Sequence, residues 1–180
     1  MMPFLIAAVV ISTIAAVFDW KAGNIPNWVT LPPLLLAPIV HYVWAINHGM
    51  ESAEAGQEAG FSVGGALLTG LVPFILLRQN AIGGGDVKLL AALGAVCQPS
   101  LGLDVELYGF LAAIVIAPAI LAYNGRLLAT LKNTGYLMLN PVLPKAKRRT
   151  VEHEAMSRFR LGPCIAIGAA VSVYLHWGSI

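Results

Sequence analysis

Charge is scarce in this sequence: 11% of its 180 residues are charged against 58% hydrophobic, and mean hydropathy is +0.76. A water-soluble domain of that size needs far more polar surface to cover its core, so that class is excluded. Net charge is only +2 and the basic residues are unevenly placed, so no nucleic-acid partner is expected. Cysteine is nearly absent. Cys97 and Cys164 are the only two, no CxxC occurs, and a four-thiolate zinc site is excluded. The pair maps to opposite ends of their helices, beyond the ~7 Å Cα separation that a disulfide spans, so no bridge is expected. His41, His48 and His176 map to one membrane edge, where lone imidazoles need no ligand role. No metal and no cofactor is expected. The pattern GxxxxGK[ST] is missing, which excludes a P-loop; internal repeats and low-complexity segments are missing too. The first apolar run, "MMPFLIAAVVISTIAAVF", has no basic segment before it. It is expected to stay as a span rather than be removed as a signal peptide.

What is present is a series of long apolar runs, the signature of transmembrane helices. They predict an all-α polytopic bundle of about six spans in a single domain over residues 1–180. The spans run roughly Phe4–Phe18, Trp28–Ile46, Phe61–Leu77, Val87–Cys97, Val105–Tyr123 and Leu161–Trp177. The fourth is short for a hydrocarbon core of ~30 Å and is expected to begin or end in a protein-lined cavity. Pro32, Pro33 and Pro38 are expected to kink or delay the second helix. Gly60 and Gly64 form a GxxxG that predicts close helix contact at the third.

The charges orient this bundle. Lys21, Arg78, Lys88, Arg126, Lys132, Lys145, Lys147, Arg148, Arg149, Arg158 and Arg160 are the eleven basic residues, and all fall in odd-numbered loops. Glu51, Glu54, Glu58, Asp104 and Glu106 fall in the even-numbered ones. The positive-inside rule then makes the odd loops cytoplasmic and puts both termini outside. Trp20 and Trp28 on one side, and Tyr42, Trp44 and Trp177 on the other, suit interfacial aromatic belts. The long basic loop 124–160 is expected to contact anionic membrane lipid, with "GYLMLNPVLP" in the interface.

Two carboxylates stand out on the cytoplasmic edge. Asp86 follows three glycines in "AIGGGDVKLLAALG", and Asp19 closes the first span in "AVFDWKAGNIPNWVT". Asp86 has a structural explanation, since an acidic residue at a helix start complements free N–H groups and the dipole. Asp19 ends a helix, where negative charge opposes the dipole. A functional explanation rests on their pairing. Two carboxylates at one depth share a proton, and the ionised one acts as base on a water while the other donates to a substrate carbonyl. Gly83, Gly84 and Gly85 then let a peptide backbone approach, or serve only as a flexible loop. Lys88 reads as a site residue or a positive-inside anchor. Pro26 and Asn27 read as the start of the second helix, and Gly162 and Pro163 as the start of the last.

These stretches also carry a family resemblance. "GGGDVKLLAALG" resembles the GxGD signature of bacterial type IV prepilin peptidases, with Gly83, Gly85 and Asp86 as its fixed letters. "DWKAGNIPN" is similar to that family's first-aspartate motif, and "RLGPCIAIG" to its last helix. The resemblance implies a membrane aspartic endopeptidase of the inner membrane with Asp19 and Asp86 as catalytic residues. Gly83, Gly84, Gly85, Lys88, Pro26, Asn27, Gly162 and Pro163 are implied as substrate-binding or site-shaping. Implied partners are prepilins and pseudopilins, whose basic leader is cut at the cytoplasmic face. Lacking the paired cysteines of the larger methylating members, the chain resembles the short form of tight-adherence (Flp-type) pilus systems, which leaves N-methylation open. Nothing in the sequence fixes an oligomeric state. The alternative is a small transporter or channel subunit that uses Asp19 and Asp86 for protons or cations.

Overall fold

The computed structural model describes residues 2–79, 82–125, 127–129, 131–132 and 160–177, all helix, turn or short connection with no strand. Most of the basic loop, including "GYLMLNPVLP", lies outside the described residues. The principal helices are α1 (Met2–Ala22), α2 (Asn27–Asn47), α3 (Ser52–Arg78), α4 (Gly84–Tyr123) and α5 (Gly162–His176). The first four are long and apolar enough to cross a membrane, and α5 is a shorter apolar helix. The chain is thus a multi-pass membrane protein. Its contacts divide it into a unit of residues 1–113 with 160–180 and a second of 114–159. Everything below concerns the first.

Residues 84–123 would make about 60 Å of straight helix, twice the hydrocarbon core. They do not run straight. Gln98 has φ 61° and ψ 177°, outside the helical region, and Pro99 follows it with no N–H to continue a helix. A Cβ on Gly102 would lie 2.9 Å from the Gly94 Cα, although residues eight apart in a straight helix are ~12 Å apart. The chain therefore reverses at Gln98, and the limb 84–97 ends there, next to Cys97, the expected end of the fourth span. The turn is tighter than the sequence suggests. Asp104 and Glu106, expected in an outer loop, lie inside α4, and Glu58 lies inside α3.

The first limb of α4 is the centre of the bundle. Leu89, Leu90, Ala92, Leu93, Ala95, Val96 and Cys97 are all buried, so it is apolar all round and enclosed by its neighbours. α1 packs on α5, and α2 on α3. Along α1 the buried stripe Leu5, Ala8, Ser12, Ala15 and Asp19 keeps helical spacing, while Ile6, Val10, Ile14 and Val17 face outward. Asp19 thus sits on the inward face.

Two packing expectations are corrected. Close approach to the third span occurs at Gly65, where a Cβ would overlap the Gly94 carbonyl; Gly60 has nothing within 4 Å and Gly64 only Pro99 at 4.0 Å. Helix rotation, not the GxxxG spacing, decides which glycine meets the neighbour. Nor is α2 delayed by its prolines. It starts at Asn27 and continues through Pro32, Pro33 and Pro38, as enclosure by other helices permits.

Candidate active site

Asp19 and Asp86 meet at one end of this unit. Both are buried, with 6% and 8% of their surface exposed, and each is near enough for its charge to act on the other. Each is held by a glycine backbone. The Gly162 N–H donates to Asp19 Oδ2 at 2.9 Å, and the Gly83 N–H donates to Asp86 Oδ2 at 3.1 Å. Among the described residues no hydrogen bond reaches the Oδ1 of either.

Local sequence explains both contacts. Gly83 precedes the first helical residue of α4, and Asp86 is the third. Its carboxylate reaches back to the N–H at the cap, which is one half of a capping box. Asp19 has a partner that the sequence did not suggest. It closes α1, yet its carboxylate lies at the first residue of α5, so it complements the dipole of a helix 143 positions away. Pro163, in the first turn of α5, donates no N–H and needs none there. A Cβ on Gly162 would lie 2.9 Å from Asp19 Cβ and Oδ2. Glycine is required there by space.

The other expected site residues gather at the same end. A Cβ on Gly85 would lie 3.1 Å from Ile25 Cβ, so the two aspartate motifs touch backbone to side chain. Pro26 caps α2 in an extended conformation. Lys88 Nζ donates to Asn27 Oδ1 at 2.9 Å, tying α2 to α4. Gly84, between Gly83 and Gly85, has nothing within 4 Å of its Cβ position among the described residues. Arg160, named only as a loop charge, donates to the Trp20 carbonyl beside Asp19. Among the described residues no group of three or more His, Cys, Asp or Glu is arranged to hold a metal ion.

At the opposite end lies a polar cluster missed in the sequence. His41, expected at the interface, is 1% exposed; its Nε2 bonds the Val96 carbonyl at 3.0 Å. The Gln98 amide lies 3.3 Å from His41 Nδ1 and donates to Glu58 Oε2 at 2.6 Å. The available signal was a glutamine directly before proline at the end of an apolar run. Glu106 was also misread: it is 6% exposed, and among the described residues its Oε1 has no hydrogen-bond partner.

Comparison with known proteins finds relatives among leader peptidases. The chain is 28% identical over 163 residues to a prepilin leader peptidase/N-methyltransferase of Escherichia coli K12, covering 90% of this chain and 59% of that protein. It is 33% identical over 112 residues to the leader peptidase HopD of Salmonella typhimurium LT2, covering 62% of this chain and 70% of that protein. The chain thus spans less than two thirds of the first relative. No solved structure matches it significantly. Residues 6–121 match the type IV leader peptidase family, a stretch that holds both aspartates and most of the helices described above, and the chain belongs to that family.

Proposed function

We propose that the protein is an aspartic endopeptidase that removes the leader from type IV prepilins, with Asp19 and Asp86 as its catalytic pair in one transmembrane peptidase domain. The observation that carries this reading is the burial of the two carboxylates within reach of each other's charge, each pinned through Oδ2 alone. Like charges that close share one proton. The ionised carboxylate takes a proton from a water, whose oxygen attacks the scissile carbonyl carbon; the protonated one donates to the carbonyl oxygen. The tetrahedral diol then collapses. The C–N bond breaks, the amide nitrogen takes a proton from the pair, and a leader carboxylate and a new amino terminus leave.

The open space over Gly84 is where an extended substrate backbone approaches. The Lys88–Asn27 bond and the Gly85–Ile25 contact shape its walls. The reaction takes place at the cytoplasmic face of the inner membrane. Supporting this side, Lys21, Lys88 and Arg160 lie at the aspartate end, whereas Glu51, Glu58 and Asp104 lie at the other. Flp-type prepilins and pseudopilins are the substrates to test first.

In cells that co-express a prepilin, Asp19→Asn and Asp86→Asn each abolish leader removal, and the double variant is no worse than either single one. Asn keeps size but cannot act as a base. Asp19→Cys with Asp86→Cys, in a background of Cys97→Ser and Cys164→Ser, crosslinks with a short reagent. Substantial cleavage by either Asn variant defeats the assignment.

A further inference from the structure

We infer that His41, Gln98 and Glu58 are positioning residues for Asp86, setting the depth of the helix that carries it from the opposite end of the bundle. The inference rests on the peptidase reading for its activity readout but not for its geometry.

The limb 84–97 is only about 21 Å long, shorter than the hydrocarbon core. Its last carbonyls therefore end among protein groups, and the final four of any helix have no partner within it. Neighbouring side chains supply them. Ser62 Oγ donates to the Ala95 carbonyl at 2.6 Å, and His41 Nε2 bonds the Val96 carbonyl at 3.0 Å. A carbonyl only accepts, so Nε2 carries the ring proton. The Gln98 Nε2 lies 3.3 Å from His41 Nδ1 and 3.4 Å from the Glu58 carbonyl, an arrangement that suits Nδ1 as an acceptor. The same Gln98 amide donates to Glu58 Oε2 at 2.6 Å. Phe4 from α1 stacks on His41 at 3.9 Å and 13°. Residues of α1, α2 and α3 thus converge on one chain reversal, where Gln98 holds φ 61° without being glycine.

The leucines of this limb are buried, but on its α3 side the seam is built of small residues. There Gly65 and Gly94 leave room for the two backbones to come together, as small residues at a helix seam allow. Thr69 Oγ1 reaches the Leu90 carbonyl at 2.9 Å but is shared with Gly65 O at 3.0 Å. The bonds at Ala95, Val96 and Gln98 hold the far end of the limb in place. A helix transmits displacement along its length, so a shift there arrives at Asp86, and a 1 Å misplacement of a reacting group costs on the order of 100-fold in rate.

The test uses the full chain in inverted membrane vesicles. A reporter thiol is introduced as Gly84→Cys, where Cβ space is open, in the Cys97→Ser, Cys164→Ser background, and labelled with a membrane-impermeant maleimide. His41→Leu and Glu58→Leu each change the labelling rate at least about threefold. Without the reporter they lower kcat for prepilin cleavage about tenfold, with KM unchanged. His41→Gln, which keeps an N–H donor at similar reach, restores both. Unchanged labelling in both Leu variants overturns the inference, as does a His41→Gln protein that behaves like His41→Leu. If His41→Leu does not accumulate, Glu58→Leu decides, since Glu58 is only partly buried. If the parent cuts no prepilin, the peptidase reading fails while the labelling comparison still stands or falls alone.

Discussion

The two ends of the bundle handle buried polar groups in opposite ways. At the aspartate end the carboxylates are held by backbone N–H groups of glycines, one bond to each, and one oxygen of each carries no hydrogen bond among the described residues. At the far end His41, Gln98 and Glu58 bond side chain to side chain, and both ring nitrogens of His41 are engaged. A fully satisfied network rigidifies and specifies a structure. A partly satisfied pair keeps capacity for a ligand or a reacting atom. The difference lies in what does the holding, because a glycine N–H orients a carboxylate without filling the space in front of it.

The sharpest test of this contrast alters the glycine that does the holding. Gly162→Ala places a Cβ 2.9 Å from Asp19 Oδ2, so either the carboxylate moves or the bond from Gly162 breaks. Leader cleavage should fall on the order of 100-fold, further than in Gly84→Ala, whose Cβ has open space within the protein and would meet only the approaching substrate. Equal effects of the two would mean that loop flexibility, and not the Asp19 contact, is what these glycines supply.

Glu106 tests the contrast between the ends. It is buried in α4, and its Oε1 is unpartnered among the described residues. If it belongs to neither polar cluster, Glu106→Leu should raise the thermal unfolding midpoint, reflecting about 1–3 kcal/mol of relieved desolvation. A lowered midpoint would show that Glu106 holds a water or ligand and joins the functional end.

The smallest effect is expected at sulfur. Cys97 and Cys164 are free and buried, and neither takes part in the proposed chemistry. Cys97→Ser with Cys164→Ser should keep cleavage within about threefold of the parent. Loss of cleavage in a folded double variant would bring a thiol into the mechanism.

Much of this architecture was legible in the sequence for a simple reason. Where few residues are charged, each charge is conspicuous, so Asp19 and Asp86 stood out and the apolar runs marked the helices. The glycines around Asp86 followed from short-range sequence, but the Lys88 bond to Asn27, 61 positions away, did not. The partner of Asp19 did not, since Gly162 lies 143 positions away and no periodicity relates the two. His41 was misplaced because a histidine near a helix end reads alike whether it faces headgroups or the bundle centre. Gly65 was missed for a related cause: spacing picks a pair of glycines, but only rotation about the helix axis selects the one that touches. The reversal at Gln98 needs a positive φ in a residue that rarely adopts one, and only the convergence of three neighbouring helices holds it there.

The bond from Gly162 to Asp19 also bears on the order of events during biosynthesis. The family match ends at residue 121, and both aspartates are synthesised well before Gly162 leaves the ribosome. Until α5 inserts, Asp19 is a carboxylate at the end of its own helix with the dipole against it, and nothing orients it toward Asp86. On the peptidase reading, insertion of α5 completes the hold on Asp19, and a nascent chain without it would carry both aspartates but not the arrangement proposed for cleavage.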